Sequence, residues 1–185
     1  MSAISHQSIA EDTAPESAGR QQFLTFGLND EVYGIGILGI HEIIEYGDLT
    51  VVPLMPDFIS GVINLRGNVV PVINLARRFD QQPREINKRS SIIIVEIRAG
   101  DDSITEAGII VDNVNEVIDL GADEIAPAPT FGTRIRTDFI QGMGRVNDQL
   151  MILLDINHVL AISEISAIAG FNASPDDSAE CANPQ

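Results

Sequence analysis

Apolar residues are unevenly spread along this chain. From residue 22 to residue 169 they come in short runs, often at every second position, and polar or turn-forming clusters separate the runs. The run 23–28 (FLTFGL) alternates apolar and polar, Asn29, Asp30 and Glu31 interrupt it, and it resumes over 32–38. Period-2 alternation broken by turn residues predicts a β-hairpin. The same reading gives three more: 62–65 and 69–75 about Arg66-Gly67-Asn68, 92–97 and 107–111 about the polar stretch 98–106, and 143–146 and 151–156 about Asn147-Asp148-Gln149. Val, Ile and Leu dominate these runs, and β-branched side chains pack well on a pleated surface. Pro71 falls inside one run, which predicts an edge strand or a bulge, because proline donates nothing to a ladder. Helical spacing is rare. One turn is expected over 75–79. A longer C-terminal helix over 157–169 is carried by Val159, Leu160, Ile162, Ile165 and Ile168, with Asp155 or Asn157 as N-cap. Residues 1–21 and 170–185 lack the pattern and are expected to be flexible tails.

The patterned region repeats itself. Gly34-Ile35 and Ile40-His41-Glu42-Ile43-Ile44 align with Gly108-Ile109 and Val114-Asn115-Glu116-Val117-Ile118 at a shift of 74, which Pro53 and Pro127 keep. Then Asp57–Gly61 (DFISG) aligns with Asp138–Gly142 (DFIQG) at a shift of 81, and the hairpins that follow keep it. The seven extra residues fall near 131–137. Each half is close to the smallest unit that folds with help from a neighbour. The expected fold is therefore all-β: two small barrels, about 22–80 and 90–160, packed on a shared core with the C-terminal helix, since closing a sheet removes its edges. Exchange of strands between the halves stays open.

Charge narrows the partners. The 185 residues carry 27 acidic and 11 basic side chains, a net charge of −16. Such a chain is repelled by nucleic acid and by anionic membrane surfaces. No apolar stretch approaches the ~20 residues of a membrane span. The N-terminus lacks a signal-peptide pattern, and a lone Cys181 forms neither an internal disulfide nor a thiolate metal cage, so a cytoplasmic protein is expected. The charge is also uneven: 66–89 holds six basic residues against Asp80 and Glu85. That strip begins at Arg66, where an acidic protein partner is expected to dock.

Enzyme chemistry is hard to assemble. Gly34, Gly36 and Gly39 match the dinucleotide pattern G-x-G-x-x-G, so a nucleotide-binding enzyme is the alternative reading. Its context argues against it: any helix would have to stop by Gly47, and the second copy has Ile110 and Asn113 in place of the second and third glycines. No H-E-x-x-H, C-x-x-C or phosphate-loop pattern occurs, and neither a metal nor a cofactor is expected. What remains are polar residues in apolar segments. Arg66 stands at a hairpin tip beside Gly67, where the other half has Asn147. Glu42 and Glu45 interrupt the apolar segment 40–44, and Glu116 matches Glu42. A surface charge at a turn is the plain explanation for each. It is weakest for Arg66, because arginine is favoured where carboxylates are recognised.

At these residues the chain resembles a known family. The segments 23–44 (FLTFGLNDEVYGIGILGIHEII), Pro53 and Pro56, 61–75 (GVINLRGNVVPVINL) and 108–117 (GIIVDNVNEV) look like the CheW-type chemotaxis coupling proteins. The G-V-I-N-L-R-G stretch is the most specific part. The resemblance implies two five-stranded SH3-like barrels and a non-enzymatic adaptor. Such an adaptor couples methyl-accepting chemoreceptors, at their cytoplasmic tip, to the regulatory domain of the histidine kinase CheA in membrane-associated arrays. An adaptor of a non-flagellar chemosensory pathway is a variant of the same reading. The resemblance further implies partner binding by Arg66 and Glu42 as an ion pair, with Asn64 and Gly67 of the same motif. Ile40 and Ile43, and at corresponding places Val114 and Val117, are expected to flank a groove between the barrels. Asn74 departs from the family's frequent aspartate, which Asp155 retains.

Overall fold

The computed structural model describes residues 19–98, 103–130 and 132–160. Its strands are β1 (Arg20–Leu28), β2 (Glu31–Gly36), β3 (Ile40–Glu45), β4 (Ile59–Leu65), β5 (Asn68–Asn74), β6 (Ser91–Arg98), β7 (Ile104–Val111), β8 (Asn113–Gly121), β9 (Ile125–Ala126), β10 (Ile140–Val146) and β11 (Gln149–Leu154). Two single-turn helices, α1 (Leu75–Arg78) and α2 (Ile156–Val159), follow β5 and β11. All four hairpins expected from alternation form: β1–β2, β4–β5, β6–β7 and β10–β11 pair antiparallel. Strands β3 and β8 were hidden in the pattern. Their apolar residues at 40, 43 and 44, and at 114, 117 and 118, read with helical spacing, yet both segments lie at sheet edges in extended form. Arg20 and Gln21, expected in the tail, pair with Gly121 and Leu120 of β8.

The strands form a five-stranded sheet, β3-β6-β7-β5-β4, and a six-stranded one, β8-β1-β2-β11-β10-β9. The five-stranded sheet is one continuous stretch, Ile40 to Val111. The six-stranded sheet is assembled from both ends of the described chain, β1–β2 with β8–β11. The sheets therefore do not coincide with the halves 22–80 and 90–160, because the β1–β2 hairpin joins the later strands and β6–β7 the earlier ones. Under the sequence shifts β2, β3, β4 and β5 fall on β7, β8, β10 and β11, and β1 and β6 take equivalent places in the strand order, which leaves only the two-residue β9 unmatched. Each contains one parallel contact at an equivalent register: Val72 opposite Gly108, and Leu153 opposite Gly34. A Cβ on Gly108 would lie 2.8 Å from Ile92 Cγ2, and one on Gly34 would lie 2.9 Å from Leu153 Cδ2. Close side-chain packing thus explains the glycine that opens both copies of the repeat.

Among the described residues three apolar clusters result. Val70, Val72, Ile92, Ile94 and Ile110 fill one barrel, and Phe23, Leu120, Met151 and Leu153 fill the other. The largest lies between the barrels and draws on both, with an aromatic row Phe26–Tyr33–Phe79–Phe139 at centroid spacings of 6.0, 5.8 and 6.0 Å. Such rings dominate core energetics. Burial, and then the hydrogen bond to Glu31, push the Tyr33 phenol well above its ordinary pKa, so it stays neutral. Arg78 locks the helices: its Nε donates to Val159 O (2.8 Å), and its guanidinium lies over Phe58 and Phe139. One arginine of the basic strip is thus part of the packing, and Arg84 pairs with Asp30 in the β1–β2 turn.

Pro71 does not sit on an edge strand, since β5 lies between β4 and β7. The parallel ladder covers only Val72–Asn74, however, so at Pro71 itself β5 is paired on one side alone. The glycine pattern leads from β2 into a three-residue 3₁₀ turn and then β3, so no α-helix N-terminus faces a would-be pyrophosphate. The C-terminal helix begins at Ile156 with Asp155 as cap, accepting from the N–H groups of Asn157 and His158 (3.0 and 3.3 Å). Residues 161–169 of the expected helix lie outside the described residues. Asn74 caps α1 in the same way through Arg77 N–H (3.2 Å), so the asparagine departure leaves the cap intact. Among the described residues no helix is long and apolar enough to cross a membrane.

Candidate functional site at the hairpin arginine

A two-residue hairpin loop matches the twist of its strands best when both central residues adopt positive φ, a conformation suited to Asn, Asp and Gly. Two hairpins obey this with Asn29-Asp30 and Asn147-Asp148, all four at positive φ. The β4–β5 hairpin uses Arg66 (φ 53°) and Gly67 (φ 93°). Left-handed backbone costs a residue with a Cβ about 1–2 kcal/mol, and arginine lacks the short polar group that eases asparagine into it. Asn64 Oδ1 accepts the Gly67 N–H at 2.9 Å and ties the turn to β4. Asn64 and Gly67 therefore shape the turn, and Arg66 is what the turn displays.

Arg66 reaches β3, where Nη2 donates to Glu42 Oε2 at 3.3 Å. The arginine side chain is 71% exposed and the glutamate 23%. A shift in the β3–β6 pairing between Ile40 and Glu42 marks a bulge at His41. His41 Nδ1 lies 3.4 Å from Glu96 Oε1, and Nε2 lies 3.7 Å from Glu106 Oε1 and 4.0 Å from Glu42 Oε1. Among the described residues Glu42 Oε1 is buried without a hydrogen bond, so the carboxylate relies on Arg66 on one side and the nearby imidazole on the other. Glu96 and Glu106 stand opposite each other on β6 and β7, a like-charge pair that His41 separates from Glu42. This histidine–glutamate cluster escaped the sequence reading, since its members lie 55 and 65 positions apart and only the ladder joins them. The bulge had no local signal.

The apolar candidates divide. Ile40 and Val114 are half-buried against the shared core. Ile43 and Val117, one repeat apart, are 44% and 49% exposed on the edge strands of different sheets. The matched exposure follows from the matched strands.

A family model for the CheW-like domain matches residues 22–164. The chain is similar to the chemotaxis protein CheW of Klebsiella aerogenes, 38% identical over 155 residues that cover 84% of this chain and 90% of that protein. It is 35% identical over 141 residues to the chemotaxis protein CheW of Bacillus subtilis, covering 76% and 86%. Among solved structures, that of the scaffolding protein TtCheW from Thermoanaerobacter tengcongensis matches with a TM-score of 0.70 at 36% identity, over 79% of this chain and 91% of that one.

Proposed function

The chain belongs to the CheW-like domain family, and on that premise we propose how its surface serves the family's task. The task itself is non-enzymatic: a chemotaxis scaffold that couples receptors to the histidine kinase CheA. In our reading Arg66, held by Glu42, is the polar anchor of a partner-binding surface facing the cytoplasmic tip of a methyl-accepting chemoreceptor. Ile43 and Val117 supply apolar contacts. The regulatory domain of CheA docks barrel against barrel, and the complex works in the cytoplasm at membrane-associated receptor arrays.

The conformation of Arg66 carries this reading. An exposed ion pair contributes about 0–1 kcal/mol, no more than the left-handed backbone costs the arginine. Stability alone therefore favours asparagine, which the other half uses at Asn147. A residue retained against that preference, with its fork fixed by a carboxylate, is suited to recognition. The scaffold's part is positioning. A rigid β frame with a shared core holds two partner surfaces at one fixed geometry.

The test is Arg66→Glu in a reconstituted mixture of receptor, CheA and this chain. Kinase stimulation should fall to the level without adaptor, while the melting curve stays within about 1 kcal/mol of the parent. Full stimulation by a folded Arg66→Glu protein would remove Arg66 from the site.

A further inference from the structure

The two sheets close on themselves unequally. In the five-stranded sheet the outer strands are β3 and β4, and Arg66 spans from the β4–β5 turn to Glu42 on β3. In the six-stranded sheet the corresponding outer strand is β8, and the corresponding turn holds Asn147. β9 covers β10 only at Met143 and Gly144, so among the described residues Arg145 and Val146 have no strand beyond them. A groove of about 650 Å³ remains between β8 and the β10–β11 hairpin. Ile118, Met143 and Ile152 are among its apolar lining residues, and Leu150, also in the lining, is 67% exposed.

The charge of this groove has one sign. Among the described residues its ionisable lining is Asp30, Glu31 and Glu116, with no lysine or arginine. Asp30 is engaged by Arg84, and Glu31 accepts from the Tyr33 hydroxyl. The Glu116 backbone is fixed by Thr25 Oγ1, which donates to its carbonyl (2.8 Å) and accepts from its N–H (3.2 Å). Its carboxylate has no ion-pair partner among the described residues. Glu116 occupies the place of Glu42, so this half presents the acceptor of the Arg66–Glu42 pair without the donor.

We propose that the groove docks a segment of a partner protein carrying one arginine or lysine between apolar side chains. The cation closes on Glu116 as Arg66 closes on Glu42, and the apolar neighbours cover Leu150 and the half-buried lining. The chain's own ends do not fit: residues 1–18 and 161–185 contain no lysine or arginine and seven acidic residues. Glu116 and Leu150 are exposed in the free chain, and a charge pair and apolar anchors covered on docking set affinity through the off-rate. The inference rests on the adaptor reading and assigns residues to a contact surface on the six-stranded barrel, remote in sequence from Arg66.

The experiment measures binding of the full chain to CheA and to a receptor cytoplasmic fragment by calorimetry, for the parent and for Glu116→Lys, Glu116→Gln and Leu150→Asp. One of the two partners should bind about tenfold or more weakly to Glu116→Lys and to Leu150→Asp, with Glu116→Gln between. The other partner's affinity and the melting temperature should stay unchanged. Parent-like affinity for both partners in all three folded variants overturns the proposal and leaves the adaptor reading standing. Failure of the parent to bind either partner removes the adaptor reading and this one with it. A concentration-dependent dimer of the chain alone, abolished by Glu116→Lys, would give the groove to a second copy and overturn the assignment to a different protein.

Discussion

The five-stranded and six-stranded sheets are near copies that diverge at one corner. Apart from β9, both have the same strand order, the same parallel register, a glycine at the parallel contact and a single-turn helix capped by Asn74 or Asp155. At the corner between outer strand and hairpin tip, one sheet has Arg66 closed on Glu42 and the other has Asn147 beside an open groove. The common frame supplies the baseline: whatever the fold requires appears twice. Arginine at the hairpin tip appears once, so the barrel does not require it.

The strongest challenge to this equivalence is at the parallel contacts. Gly108→Ala should cost about 1–3 kcal/mol by overpacking, because the nearest atom is a methyl of the stiff, β-branched Ile92. Gly34→Ala meets the end of a leucine and should cost less. Denaturant melts of both variants check this, and equal costs would show that side-chain stiffness does not distinguish the two contacts. The caps come next. Asp155→Ala should lose about 1–2 kcal/mol and Asn74→Ala about 0.5–1 kcal/mol, since the first accepts two N–H groups and the second one. The reverse order by thermal unfolding would break the correspondence of the helices. Exchange of the tip residues is subtler. Asn147→Arg should destabilise by about 1 kcal/mol, and Arg66→Asn should leave stability level or raised by up to about 1 kcal/mol while coupling is lost. A clear loss of stability in Arg66→Asn would mean the arginine is structural.

The smallest effect is on the acid side. The hydrogen bond from Arg84, and then its positive charge, hold the Asp30 carboxyl below its usual range. A lowered folded-state pKa contributes stability that is present above the unfolded value and fades as pH falls through the ordinary carboxylate range, about 4, to the lowered one. The stability gap between the parent and Asp30→Asn should therefore be constant near neutrality and shrink below about pH 5. A gap independent of pH from 7 down to 3 would show that the pair contributes nothing beyond shape.

The legible parts of the sequence were those with local causes. Alternation around Asn29-Asp30, Arg66-Gly67 and Asn147-Asp148 marked hairpins, because turn chemistry and strand period sit side by side in the chain. The repeat foretold two barrels, and Asp155 announced a helix start. Edge strands β3 and β8 were obscured because IHEIIE and NVNEVI also fit a helical period, and only pairing to β6 and β1 decides. The sharing of hairpins between the halves had no local signal either. Arg66 and Glu42 stood out as a pair through the resemblance, whereas the His41–Glu96–Glu106 cluster and the groove beside Glu116 exist only once the ladders bring distant segments together.

The continuity of the five-stranded sheet sets the order in which the molecule can be built. As the chain leaves the ribosome, β1 and β2 emerge first but lack their parallel partner β11 until more than a hundred residues later. At roughly 5–20 residues per second that is a wait on the order of 6–24 s. During it the stretch from Ile40 to Val111 already holds every strand of its own sheet. Synthesis therefore favours a finished five-stranded barrel that serves as a template, with the early hairpin waiting beside it until the last strands complete the six-stranded barrel.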